Sequence, residues 1–395
     1  QKAESTTLPN RSFLWKAKKP NSELKPVSDH ASVFNGKEHV FYGGCGNGED
    51  EYYSDFVLYN NDDVNEVQSG IKGRKLHTFT NVNNKLFVIG GETASGQKSS
   101  KIFVYDGENK GWTAVECPEL SQQSCHTAAP NGKDEIIVYG GIPSFDQIYS
   151  INTNTYEVKK LPIEDSQSQD QKKIPANRYG HSAVVHNNKM IVYGGRSTET
   201  DEILSDLWSF DLAQNKWSLI KWDLLPRSSH SAHVLGDEMI IIGGEGSNQS
   251  FSVNLNDYNV KFIDEYGNLP TTLIGSSVSF DPTTKNIVVY GGRESHGGPS
   301  TAALYEVTMS QDWKDSINEN PEVVERDIVS DLNPNFIEVD ENGSVKEVPN
   351  PEEAEEGIDN VTNEEEEVEL EIDVELGEED GGENIDEDEN DVVEN

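Results

Sequence analysis

Short apolar runs recur along the first three quarters of the chain, and each is closed by two adjacent glycines. The runs are VFYGG (ending Gly43-Gly44), FVIGG (Gly90-Gly91), IVYGG (Gly140-Gly141), IVYGG (Gly194-Gly195), IIIGG (Gly243-Gly244) and VVYGG (Gly291-Gly292). Their first glycines lie 47, 50, 54, 49 and 48 residues apart. Apolar runs this short, bounded by turn residues, predict buried strands. Repeated at this period, they predict a radial array of small sheets.

The flanks repeat as well. A histidine stands thirteen residues before the first glycine in four copies (His30, His77, His181, His230) and fourteen before it in the third (His126); the sixth copy has Ser276-Ser277 in that region. Polar turns such as Asn83-Asn84-Lys85 and Asn187-Asn188-Lys189 lie between histidine and glycines. Asn and Gly tolerate the positive φ of tight hairpins, so each half-unit reads as strand, turn, strand. After the glycines, Tyr59, Tyr105, Tyr149, Phe210, Phe251 and Tyr305 are expected to start a third strand. Trp112, Tyr156, Trp217 and Tyr258, seven residues further on, are expected to open a fourth.

This order of histidine, double glycine, Tyr/Phe and then Trp/Tyr resembles the kelch repeat, over about residues 11–313. The resemblance implies an all-β fold, a six-bladed kelch-type β-propeller. Its blades should span about 30–68, 77–115, 125–160, 181–220, 230–263 and 275–307. The sixth copy lacks a good fourth strand, while Ser12–Ala17 lies upstream of the first histidine without a unit of its own. Trp15 precedes His30 by 15 residues, much as Trp112 precedes His126 by 14 and Trp217 precedes His230 by 13. Residues 12–17, rather than 312–317, should therefore complete blade six and close the ring, removing its exposed strand edges. Residues 1–10 are a short N-terminal extension.

Charge changes the picture after Trp313. The whole chain carries 72 acidic against 31 basic residues, a net charge of −41. Residues 315–395 hold 33 Asp/Glu against Arg326 and Lys346. Such a segment buries too little apolar surface to offset its ordering entropy, so 314–395 is expected to be a disordered acidic tail. Within it, residues 367–376 alternate acid and aliphatic, a pattern able to add a strand to a partner's sheet edge. The tail suits a basic protein partner, and it is long enough to reach the propeller and occupy it in an autoinhibitory way. Direct nucleic-acid binding is not expected, and no span approaches the ~18 apolar residues of a membrane helix. Cys45, Cys117 and Cys125 make no disulfide framework; Cys117 with Cys125 is the one pairing weighed against free thiols. The chain starts at Gln1, which leaves a cleaved leader open; an intracellular setting is the preferred reading.

For chemistry, the five repeat histidines are read as packing and hydrogen-bonding groups between blades. Each comes from a different blade, so they cannot converge on one metal ion. No metal and no cofactor are expected. Arg74, Arg178 and Arg227 stand three residues before a repeat histidine; Arg196 and Arg293 follow glycine pairs. The two kinds of connection that carry them should emerge on one face, where forked guanidinium groups suit an acidic partner. The alternative is internal pairing with acids such as Glu199, Asp201 and Glu294. Glycine-to-aromatic spacings predict tall loops at 44–56, 91–102, 195–206 and 292–302, and low ones in blades three and five. Gly-x-Ser-x-Gly, phosphate-loop and His-Glu-x-x-His motifs are not present. The expected function is therefore a non-enzymatic module that binds protein through its rim loops. The alternative is a sugar-processing kelch-like enzyme, of the mutarotase type with Glu245, Arg293 and Glu294 at the mouth, or of the copper-oxidase type.

Overall fold

The computed structural model describes residues 10–316 except 49, 121, 133, 144–145, 165–173 and 272, together with 333–339 and 344–352. Six antiparallel sheets follow one another along the chain, each with four principal strands, here lettered a to d from the centre outwards. Blade four shows the pattern: Ser182–His186, Lys189–Tyr193, Leu207–Asp211 and Lys216–Lys221, paired in that order. The Asn187-Asn188 turn between its first two strands has φ of 48° and 58°, the left-handed conformation its residues were chosen for on sequence.

The core is divided into six apolar clusters, each seated between two neighbouring blades. This explains why the b strands are apolar without alternation. In Lys85–Ile89, Leu86 and Val88 pack toward blade one while Phe87 and Ile89 pack toward blade three. A strand buried on both faces reads as one continuous hydrophobic run.

The ring closes as the sequence predicts. Ser12–Ala17 pairs antiparallel with Leu304–Met309 and serves as the d strand of blade six. Asp264–Gly267 adds a further strand outside it, in parallel. The segment that competed for this place is instead a short helix, Gln311–Ser316, whose Trp313 stacks on Phe13 at 5.4 Å. Two details of strand register differ from expectation. Tyr59, Tyr105 and Phe210 fall late in their strands rather than at the start. Tyr156 and Tyr258 precede their d strands, in left-handed turns with φ of 61° and 57°. Only Trp112 and Trp217 lie inside the d strands they were expected to open.

Part of the acidic segment is built into the fold. Phe336–Val339 and Val345–Val348 form a hairpin that extends the outer edge of blade two, pairing in parallel at Phe336 and Trp112. Phe336 and Ile337 are buried, and Phe336 joins the cluster between blades one and two. Burial of two such side chains contributes about 1.5–3 kcal/mol each, which an evenly charged tail could not supply. The rest of the expected tail, 317–332, 340–343 and 353–395 with its alternating stretch 367–376, lies outside the described residues.

Closure predicts a stability effect. Phe13 is fully buried, so Phe13→Ala should cost about 3–5 kcal/mol and lower the urea midpoint. An unchanged midpoint would contradict closure through this strand.

Candidate interaction face

Two families of connections meet on one face: those from b to c, which begin with the glycine pairs, and those from d to the next a. They are stitched together by short β-bridges in every blade. Ser28 pairs with Cys45, Lys75 with Glu92, Ser124 with Ile142 and Ile274 with Arg293. Tyr179 pairs with Arg196 and Ser228 with Glu245. Around the mouth of the ring, the next residue of each d-to-a connection is left-handed: Asp29, Leu76, Cys125, Gly180, Ser229 and Gly275, with φ between 52° and 65°. Backbone hydrogen bonds run from Leu76 to Asp29, Asp29 to Gly275, Gly275 to Ser229, Ser229 to Gly180 and Cys125 to Leu76, at 2.7–3.1 Å. Left-handed backbone at non-glycine residues persists only where its surroundings over-determine it. The mouth is thus a rigid collar.

The five arginines do not share one fate. Arg74, Arg178 and Arg227 lie in the connections expected, but their side chains are buried within the blades. Each guanidinium donates to the carbonyl of the glycine sixteen residues later: Arg74 to Gly90 at 3.3 Å, Arg178 to Gly194 at 2.9 Å and Arg227 to Gly243 at 2.8 Å. Arg178 also forms a two-pronged pair with Asp206, at 2.6 and 2.8 Å. Arg227 has no such carboxylate; its second nitrogen reaches the Gln249 carbonyl at 2.6 Å, and burial lowers its pKa. Arg74 pairs with Glu352, from the acidic segment, and lies 4.7 Å from the Phe103 ring. Burial takes all three side chains off the exposed face expected of them: Arg178 and Arg227 join parts of the propeller itself, and Arg74 joins blade two to Glu352.

Arg196 and Arg293 do reach the face, and both are half-buried. Arg196 pairs with Glu245 at 2.6 Å and with Asp201 at 3.5 Å; Arg293 pairs with Asp29. Asp201 was among the internal partners weighed on sequence, whereas Glu245 and Asp29 belong to neighbouring blades. The mouth therefore carries cross-blade ion pairs, with Tyr179 donating to Asp201 at 3.3 Å beside them. The b-to-c connections are short in blade three (140–147) and blade five (243–250) and longer in the other four. A cleft of about 120 Å³ opens between blades six and one, lined by Phe41, Tyr52, Tyr53 and Tyr290 with Lys25 and Glu66.

The repeat histidines are buried and turn toward the preceding blade. His77, His181 and His230 each meet a tyrosine ring at 5.0 Å: Tyr42, Tyr139 and Tyr193. His126, His181 and His230 hydrogen-bond the hydroxyls of Thr78, Thr127 and Ser182, at 2.8–3.2 Å. His77 has no such partner because Ala31 holds the corresponding place. Among the described residues no cluster of His, Cys, Asp and Glu could hold a metal ion, and no helix is long and apolar enough to cross a membrane. Cys45, Cys117 and Cys125 are free thiols; burial pushes Cys125 up to about 11.

The KLHDC2/KLHL20/DRC7 Kelch-repeats domain matches residues 76–251, which is blades two to four and the first two strands of blade five. The six-bladed architecture carries the same repeat through blades one and six. The repeat match and the six-bladed architecture together support a kelch-repeat β-propeller. It is 26% identical over 288 residues to an F-box/kelch-repeat protein of Arabidopsis thaliana, covering 65% of this chain and 58% of that one. It is 24% identical to protein tag-53 of Caenorhabditis elegans, covering 62% and 20%. It is 27% identical to tRNA wybutosine-synthesizing protein 4 of Candida albicans, covering 46% and 28%. The chain thus spans between a fifth and about three fifths of these relatives.

For this kelch propeller, sequence reasoning missed Phe336 and Glu352. Phe336 carried a signal, as the single aromatic residue between 315 and 395.

Two measurements separate structural from surface roles. Arg178→Ala strands Asp206 and should cost about 3 kcal/mol in urea unfolding; Arg196→Ala should cost under about 1 kcal/mol. The reverse order would undo the assignment. The histidines give a pH signature. Burial pushes His30, His126 and His181 down to about 3, so the unfolded chain, titrating near 6.5, takes up their protons first. Stability should be full above about pH 6.5 and fall from there toward pH 3, by roughly 1 kcal/mol per pH unit per histidine. The slope between pH 6.5 and 5 should flatten in His126→Asn; an equal slope would count against burial as the cause.

Proposed function

We propose that this chain is a non-enzymatic interaction module that binds another protein at the collared face. The observation that carries this reading is the pairing at the mouth. Arg196 and Arg293 are held in fixed positions by Glu245 and Asp29 of neighbouring blades, between b-to-c connections of unequal height. A partner carboxylate can replace an internal one there without any guanidinium having to move far, and forked donors favour it over a point cation. Kelch propellers typically bind proteins, which supports the reading. The aromatic cleft between blades six and one supplies an apolar anchor beside the charged mouth, the combination found at interface centres.

The acidic residues beyond 353 are assigned to a second, basic protein partner. Attraction of that kind is long-ranged and screened over about 8 Å at physiological salt.

Affinity capture with the full chain tests both parts. Proteins bound at the mouth should be lost on Arg196→Ala with Arg293→Ala. Proteins bound by the acidic residues should persist in that variant and be released by salt. An identical set of captured proteins from wild type and double variant would refute the mouth as the binding surface. A sugar-turnover assay on the same material addresses the enzymatic alternative, and turnover abolished by Glu245→Gln would replace the present reading.

A further inference from the structure

Blade two differs from blade four at two places, and the connection that leads into it adds a third feature; all three serve the same segment. The residue before strand c is Asp206 in blade four, where it pairs with Arg178. The same place in blade two is Lys101, so Arg74 receives no carboxylate from that position and takes Glu352 instead. Strand d of blade four begins at Lys216, whereas that of blade two begins at Gly111. A side-chain carbon on Gly111 would meet Ile337 at 2.7 Å. Gly70, with φ of 82°, leaves room for the Pro334 carbonyl, into which any side chain would run.

The segment itself is lightly held. Its strands have four residues each, it shares one ladder pair with the blade, and Val339 and Val345 are exposed. At its end, Glu352 also accepts from the Lys72 amide at 2.8 Å, and Asn350 donates to the Gly70 carbonyl at 3.1 Å. The features that make room for a docked strand thus belong to the blade. The occupant contributes an aromatic–aliphatic pair and one carboxylate.

We propose that the outer edge of blade two, with Arg74 at its base, is an exchangeable strand-addition site. Residues 333–339 and 344–352 fill it in this chain. An extended acidic segment of a partner protein fills it in exchange, with an aromatic–aliphatic pair at the Phe336–Ile337 positions and a carboxylate at the Glu352 position. Strand addition takes its affinity from main-chain hydrogen bonds and its specificity from side-chain pockets. Here those are the gap over Gly111 and the Arg74 guanidinium. The site is separate from the mouth, so its outcome does not depend on Arg196 or Arg293.

The test uses the full chain and a fluorescein-labelled peptide of residues 333–352. Glu352→Lys sets a cation against Arg74 and should release the internal copy. The peptide should bind that variant at least tenfold more tightly than wild type, and a peptide carrying the same Glu352→Lys change should bind at least tenfold more weakly. Should Glu352→Lys fail to fold, Glu352→Gln takes its place. Hydrogen exchange on wild type gives an independent reading. Saturating peptide should speed exchange at 336–339 and 345–348 while 102–106 stays protected. Absence of binding to a folded variant, or exchange at 336–339 unchanged by peptide, overturns the proposal. A dimer that forms with rising concentration and is lost in Glu352→Lys would assign the edge to a second copy of the chain and overturn the partner reading.

Discussion

The clasp between blades at the glycine pair is the contact on which the rest of the structure depends. The second glycine of a pair donates its amide to a carbonyl in the next blade: Gly44 to Arg74, Gly91 to Gln123, Gly195 to Arg227, Gly244 to Leu273 and Gly292 to Val27, at 2.7–3.0 Å. In each case the acceptor lies three residues before the histidine position of that next blade. A side-chain carbon on Gly195 would sit 2.8 Å from the Tyr179 carbonyl and 2.9 Å from the His181 Cβ, in its own blade. One on Gly194 would collide with the Arg227 carbonyl. The first glycine therefore permits approach between blades, and the second permits folding within one. Two glycines are needed because two backbones come close on either side of one strand end.

The buried arginines grow out of that clasp. Arg74 and Arg227 offer their own carbonyls to the preceding blade, and their guanidinium groups hold the carbonyl of the glycine that begins the next clasp. One residue so links consecutive joints of the ring. A buried guanidinium is costly unless it is well paired, and the three blades that use one pair it differently. Arg178 has a carboxylate from its own blade, Arg227 a backbone carbonyl, and Arg74 a carboxylate from far along the chain. The structural demand is constant. Its solution is local, and blade two has left the solution to a segment outside the repeat.

The repeat was legible because period, turn chemistry and apolar runs all agree on the same six strand pairs. Ring closure was legible because Trp15 stands where Trp112 and Trp217 stand relative to the following histidine. The arginines misled because sequence position gives the connection a residue belongs to, not the direction of its side chain. Yet the constant separation of sixteen from Arg74, Arg178 and Arg227 to a pair glycine was itself part of the repeat, and repeated positions serve the scaffold first. Arg196 and Arg293 share no such register with a histidine-side partner, and these are the two that reach the face. The docked hairpin was hidden by its neighbours: average charge over 315–395 outweighs the few apolar residues that pack.

The charge balance bears on how this molecule selects what it binds. A chain with 72 acidic residues sets its own carboxylates against Arg74, Arg196 and Arg293, and tethered groups compete at effective concentrations on the order of millimolar. A partner offering only negative charge gains little over what the chain already supplies at Arg196, Arg293 or Arg74. Discrimination must then come from features the acidic residues cannot imitate. At the mouth these are the unequal heights of the connections and the aromatic cleft. On blade two they are the main-chain groups of the edge strand and the space over two glycines. Arginine fixes where a carboxylate sits, and the backbone around it decides whose carboxylate that is.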